Sequence, residues 1–216
     1  MKKTSCFQRK AKSLLLAATI LVSIGTLGFN PTPIAAAETS TNTFATLWSG
    51  QDGECNWSYD IISRTMTISK GPNGQQLGTK PIANLVSWGP TIEHIVFATP
   101  VILPINSDSK FNNLYNLISI DNFNLVDTSQ TVNMSNLFSN NPKLTRIDLS
   151  KINTAKVANM TNMFAGDIKL TNLDLSQLKT EHVKKKQNMF TGSGLNKTKP
   201  NNDQTANSII VNDHKN

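Results

Sequence analysis

The chain has 216 residues, with 21 Lys and Arg against 14 Asp and Glu, a formal charge of +7. Five of the basic residues (Lys2, Lys3, Arg9, Lys10 and Lys12) precede the first acidic one, so the remainder holds 16 basic and 14 acidic residues and no nucleic-acid footprint is expected. Only two cysteines occur, Cys6 and Cys55, which excludes a disulfide framework and any CxxC metal or redox motif.

Residues 1–37 read as a secretory signal peptide. A basic start is followed by an uncharged apolar stretch from Leu14 to Phe29, then by the small-residue exit Ala35, Ala36, Ala37 before Glu38. Ser23, Gly25, Thr26 and Gly28 interrupt the stretch, which falls short of the ~20 apolar residues a span needs. The expected location is therefore secreted or associated with the cell surface, with no stable membrane insertion after cleavage. Cys55 is then left alone, and it reads as a small buried side chain, with an intermolecular disulfide as the other reading.

Residues 44–106 form a β-rich N-terminal region in this reading. In NWSYDIISRTMTIS, Trp57, Tyr59 and Ile61 alternate with polar residues, and so do Met66 and Ile68, which predicts a hairpin with one buried face. GPNG at 71–74 is a turn by composition. IEHIVF from Ile92 and VILP from Val101 are short, β-branched and bounded by prolines, so they read as further strands.

From 107 to 192 a long-period repeat takes over, of about three units. LTRIDLSKINTAKVANMTNMF from Leu144 matches LTNLDLSQLKTEHVKKKQNMF from Leu170 at ten of 21 positions, all offset by 26; Phe138, Phe164 and Phe190 follow the same ruler, and Phe111 lies 27 before Phe138. Leu144, Ile147, Leu149 and Ile152 follow LxxLxLxxL, whose core reads as a short strand with Asp148 and Ser150 facing out. Val157, Met160, Met163 and Phe164 fall three or four apart, which predicts a short helical return. Such a unit cannot bury its apolar face alone and must stack on a copy of itself. The fold class expected is a β-rich α/β solenoid: a short leucine-rich repeat array of parallel strands with short helical returns, preceded by a small β-hairpin region. Residues 193–216, rich in Asn and Lys, read as a disordered polar tail. The strand expected at Leu173–Leu175 then ends the stack with an exposed edge, through which an oligomer can form.

The DLS, NM and MF elements, in this order and at this period, resemble the BspA-like bacterial leucine-rich repeat surface proteins of lactobacillus type. GECNWSYDIISRTMTIS and IEHIVF are similar to segments that precede the repeats in such proteins. The departure is at Lys185 and Lys186, which stand where the other units have Asn and Met. The resemblance implies an exported Gram-positive protein that adheres to host matrix, mucus or other cells, with a host or bacterial surface protein or glycan as partner. No LPxTG sequence accompanies it.

Catalytic patterns are absent: His94, His182 and His214 lack ligand spacing, and no HExxH, GxSxG or phosphate loop occurs, so no enzyme and no cofactor are expected. Cys55 with His94 is the one nucleophile–base pair to weigh, and a structural cysteine is the simpler reading. Asp121, Asp148 and Asp174 recur on successive strands, so a column of carboxylates is a weak metal candidate, for a hard cation such as Ca²⁺; the plainer reading is a solvated face. The expected ligand face is Arg146, Asp148, Asn172 and Asp174. One alternative is a carbohydrate- or cell-wall-binding module, or a wall-active enzyme, built on Trp48, Trp57 and Trp88. The other is a truncated relic of a longer adhesin. Asn133 and Asn159 lie in glycosylation-like NMS and NMT triplets but recur with the repeat, so they read as turn or helix-start residues.

Overall fold

The computed structural model describes residues 47–85 and 91–197. The signal-peptide reading, Trp88, His214 and the polar tail beyond residue 197 lie outside the described residues. Alternation at the N-terminus does build strands. β1 (Leu47–Asp52), β2 (Cys55–Asp60) and β3 (Thr65–Lys70) run antiparallel, with Trp57 opposite Ile68 and Tyr59 opposite Met66. Those four side chains are buried. Ile61, expected to continue the buried row, lies in the β2–β3 turn and is 49% exposed. Alternation cannot register where a strand stops; Asp60 ends it here by accepting from the Ile62 amide and the Ser63 hydroxyl. Gly71 and Gly74 bridge across the GPNG turn.

After β3 the sheet becomes parallel. β4 (His94–Phe97), β6 (Ser119–Asp121) and β8 (Arg146–Ile147) follow β3 in a six-stranded mixed sheet, while β5 (Val101–Ile102) and β7 (Val126–Asp127) make a second, parallel pair. A third parallel ladder runs Asn106, Asn133, Asn159, Lys185. Segments one repeat apart thus lie side by side, forming rungs that close at Phe111, Phe138, Phe164 and Phe190. Inside, Met66, Ile95, Ile120 and Ile147 share one register position, and the four phenylalanines stack face to face at 5.6, 5.4 and 5.7 Å between centroids. Each apolar position needs a like residue above and below it, which is why the sequence repeats.

Where the second sheet ends, hydroxyls continue it. Thr128 Oγ1 accepts from the Asn153 amide and donates to its carbonyl; Thr154 Oγ1 does the same with Lys179. A buried threonine here does the work of a backbone bridge, which accounts for the recurrence of Thr128 at Thr154.

The helical returns expected around Met160 to Phe164 are not helices; residues 161–166 are turns. Two residues before each ladder phenylalanine the backbone is left-handed, at Ser109, Asn136, Asn162 and Asn188 (φ 54 to 61°). Two residues after it the same occurs at Asn113, Asn140, Gly166 and Gly192. A left-handed residue stops a right-handed helix, and Asn and Gly tolerate it best. Helical content among the described residues is confined to short 3-10 turns such as Ile82–Asn84, Phe123–Leu125 and Gly194–Lys197. The fold is β-rich, with a mostly parallel mixed sheet and few helices.

Two further expectations change. Residues 171–175 carry no strand assignment, although Leu175 is buried. Residues 193–197, read as the start of a disordered tail, are ordered: the Gly194 amide donates to Asp167 O, and Leu195 is buried against the last rung. Only glycine fits at 194, since a Cβ there would meet the Ile168 and Leu170 carbonyl oxygens at 2.7 Å.

Candidate functional site

The outward side of the sheet carries two columns. In the first, Thr65, His94, Ser119 and Arg146 are register partners on β3, β4, β6 and β8; in the second, Thr67, Val96 and Asp121 are. The repeat offset, 27 residues from Asp121 to Asp148 and 26 thereafter, continues the first column to Asn172 and the second to Asp148 and Asp174. Arg146, Asp148, Asn172 and Asp174, the expected ligand face, are all exposed.

A hydrogen-bond chain links the first strands of this face. The Ser119 hydroxyl donates to Asp121 Oδ2 at 2.8 Å and lies 2.9 Å from His94 Nδ1, and Arg146 Nη2 pairs with Asp121 Oδ1 at 2.5 Å. Serine, histidine and aspartate are thus brought together, which sequence spacing did not signal because they sit on separate strands. The order is wrong for nucleophilic catalysis. With its proton on Asp121 the hydroxyl can only accept from His94, so the imidazole is a donor here and not a base; Ser119 is also buried. The chain fixes side chains; it does not activate one.

Asp148 and Asp174 behave differently from Asp121. Each carboxylate folds back on its own chain, accepting the amide two residues on, Ser150 and Ser176, at 2.9 Å. Hydrogen bonds from the Ser150 hydroxyl and amide hold the Asp148 carboxyl below the usual range, and those from the Ser176 amide and hydroxyl do so for Asp174. With Asp121 engaged by Arg146, these three carboxylates do not converge. Among the described residues no group of three His, Cys, Asp or Glu side chains is placed to hold a metal. Cys55 and His94 do not meet either: their β3 partners are Lys70 and Thr65, at opposite ends of that strand. Cys55 is buried, donates to Gln75 O, and burial pushes its thiol up to about 11, which makes it a poor nucleophile.

A second feature lies at the open end of the antiparallel strands. A cavity of about 380 Å³ is lined by Trp48, Tyr59, Ile61, Arg64, Thr91 and Asn116. Trp48 is 51% exposed, whereas Trp57 is core. Arg64 is tethered by Glu93 at 2.5 Å, and the Tyr59 and Thr91 hydroxyls are 3.0 Å apart. Its size and mix of aromatic and polar groups suit a small polar ligand with a flat ring. The sequence pointed to Trp48 but not to Arg64, which sits left-handed (φ 52°) in the turn after β2.

Asn133 and Asn159 serve the ladder: their Oδ1 atoms accept from the Ser135 and Thr161 amides, and Asn133 Nδ2 donates to Asn106 Oδ1. No helix among the described residues is long and apolar enough to cross a membrane.

The architecture defines a class first: a repeat protein whose β-ladders recur every 25 to 27 residues. The family model described as "Mycoplasma protein of unknown function, DUF285" matches residues 106–213, and the chain belongs to that family. The match begins at Asn106, where the third ladder starts. No curated protein and no solved structure matches the chain.

Proposed function

We propose that this is an exported, non-enzymatic binding protein that adheres to a host or bacterial surface protein or glycan through the outward columns of a leucine-rich solenoid of BspA-like type. The observation that carries this reading is the alignment of Arg146, Asp148, Asn172 and Asp174, exposed and repeated at the rung spacing. Pairing of β8 with β6 holds the backbone at Arg146, and the Ser150 and Ser176 amides hold the Asp148 and Asp174 carboxylates, which lowers the ordering cost on binding. A regular row of charges suits a partner that itself repeats, such as a matrix protein or a glycan chain. Arg146 and the aspartates offer both signs, which favours specificity over bulk charge attraction.

The test is retention of the chain from residue 38 on immobilised mucin, fibronectin and peptidoglycan. The Arg146→Ala/Asp148→Ala/Asp174→Ala variant is expected to lose at least ten-fold in affinity, about 1.4 kcal/mol, with its thermal unfolding unchanged. Full retention by that variant overturns the reading.

The cavity beside Trp48 favours a second reading, a carbohydrate-binding module. It predicts the converse pattern: loss of peptidoglycan or oligosaccharide binding on Trp48→Ala or Arg64→Ala, and indifference to the strand-face substitutions.

A further inference from the structure

We infer that Asp167 is held as a neutral carboxylic acid doing the work of an asparagine amide between rungs, and that the closing turn of the stack is therefore a proton-dependent latch. The position three residues after each ladder phenylalanine holds Asn141 in one rung and Asp167 in the next. Both are fully buried. Asn141 Oδ1 accepts the Leu114 amide one rung back, at 2.9 Å; Asp167 Oδ1 accepts the Asn141 amide in the same way, at 2.8 Å. The two side chains diverge at the other atom. Asn141 Nδ2 donates to the carbonyls of Phe111 and Phe138. Asp167 Oδ2, the counterpart of that nitrogen in the side chain, is buried and has no partner. An ionised oxygen is costly when buried without a hydrogen bond, whereas an O–H on Oδ2 is a donor, as the amide is in the rung before.

The segments packed around Asp167 bring no charge to it. Besides Asp167 itself, residues 138–143, 164–169 and 191–195 contain two charged side chains: Lys143, exposed with its Nζ on Asn116 Oδ1 at 2.7 Å, and the exposed Lys169. Burial pushes the Asp167 carboxyl up to about 8, against the opposing pull of the Asn141 amide. The same residue carries the latch itself, because Asp167 O accepts the Gly194 amide that seats the closing 3-10 turn over Leu170.

A carboxyl raised from 3.8 to about 8 on folding binds a proton that the open chain has released. Its contribution is complete below about pH 4 and is lost as pH rises to about 8. Amide exchange at Gly194, corrected for intrinsic base catalysis, should therefore accelerate by up to about ten-fold per pH unit within that window and level off above it. Asp167→Asn should abolish this dependence and raise the urea midpoint at alkaline pH, with a gap over the unsubstituted chain that widens up to about pH 8. Because Asn141 already fills the matching place, the replacement fits. Carbon-detected titration of the Asp167 carboxyl in the unsubstituted protein is independent of any variant. An inflection near 8 supports the latch, and one in the ordinary aspartate range overturns it. So does a pH-independent gap between the two chains.

Discussion

Lys110 stands in the register column that Leu137, Met163 and Met189 occupy in later rungs, yet it is fully buried. Its ammonium donates to Asp52 Oδ2 at 2.5 Å and to the carbonyls of Gly78 and Lys80 at 2.7 and 2.8 Å. Three protons meet three acceptors, so the charge is satisfied where the apolar column stops and β1 begins. Burial pulls the lysine down from its ordinary value, while the charge and hydrogen bond of Asp52 act upward. Lys110→Ala should cost about 3–5 kcal/mol, because Asp52 is left buried and unpaired; chemical denaturation measures it. Partial relief is expected when Asp52→Leu is added, whereas a wholly additive pair would separate the two residues. None of this was legible in the sequence. The partners lie 58 residues apart, and a lysine beside a phenylalanine reads as solvated until its column is known. Leu149, Leu175 and the phenylalanine ladder were legible because each has a like residue one period away.

At the scale of elements, the strands were readable and the returns were not. Period two over Trp57–Tyr59 and Met66–Ile68 has one simple meaning. Apolar residues three and four apart, as at Val157, Met160, Met163 and Phe164, suit a helix and a tight succession of turns equally well. What decides between them is Asn162, left-handed at φ 57° and donating to Asn136 Oδ1 at 3.1 Å. The asparagine that recurs at 188 is kept for its backbone conformation more than for packing. Asn162→Ala should therefore be less stable than Asn162→Gly by about 1 kcal/mol, the left-handed penalty less the entropic cost of glycine, although alanine is the better helix former. Urea midpoints of the two variants check this. Alanine as the more stable variant would restore the helical return.

For the molecule as a whole, the N-terminal strands and the repeats share one sheet, since β3 pairs with β4 in parallel and Thr65 and Thr67 start the outward columns. The hairpin region caps the first rung, Gly194–Lys197 follows the last rung among the described residues, and the polar face between them is the surface proposed to bind. Four of its residues were legible from the period alone: Arg146, Asp148, Asn172 and Asp174. The His94–Ser119–Asp121 chain beside it was not, since it depends on lateral pairing between strands. Residues one period apart are neighbours across parallel rungs. Nuclear Overhauser contacts in the chain from residue 38 test this most directly. Cross-rung contacts are expected to link Asn133 to Asn159, Asn159 to Lys185 and Ile120 to Ile147. Helical contacts through 160–166 with no cross-rung partners would contradict it.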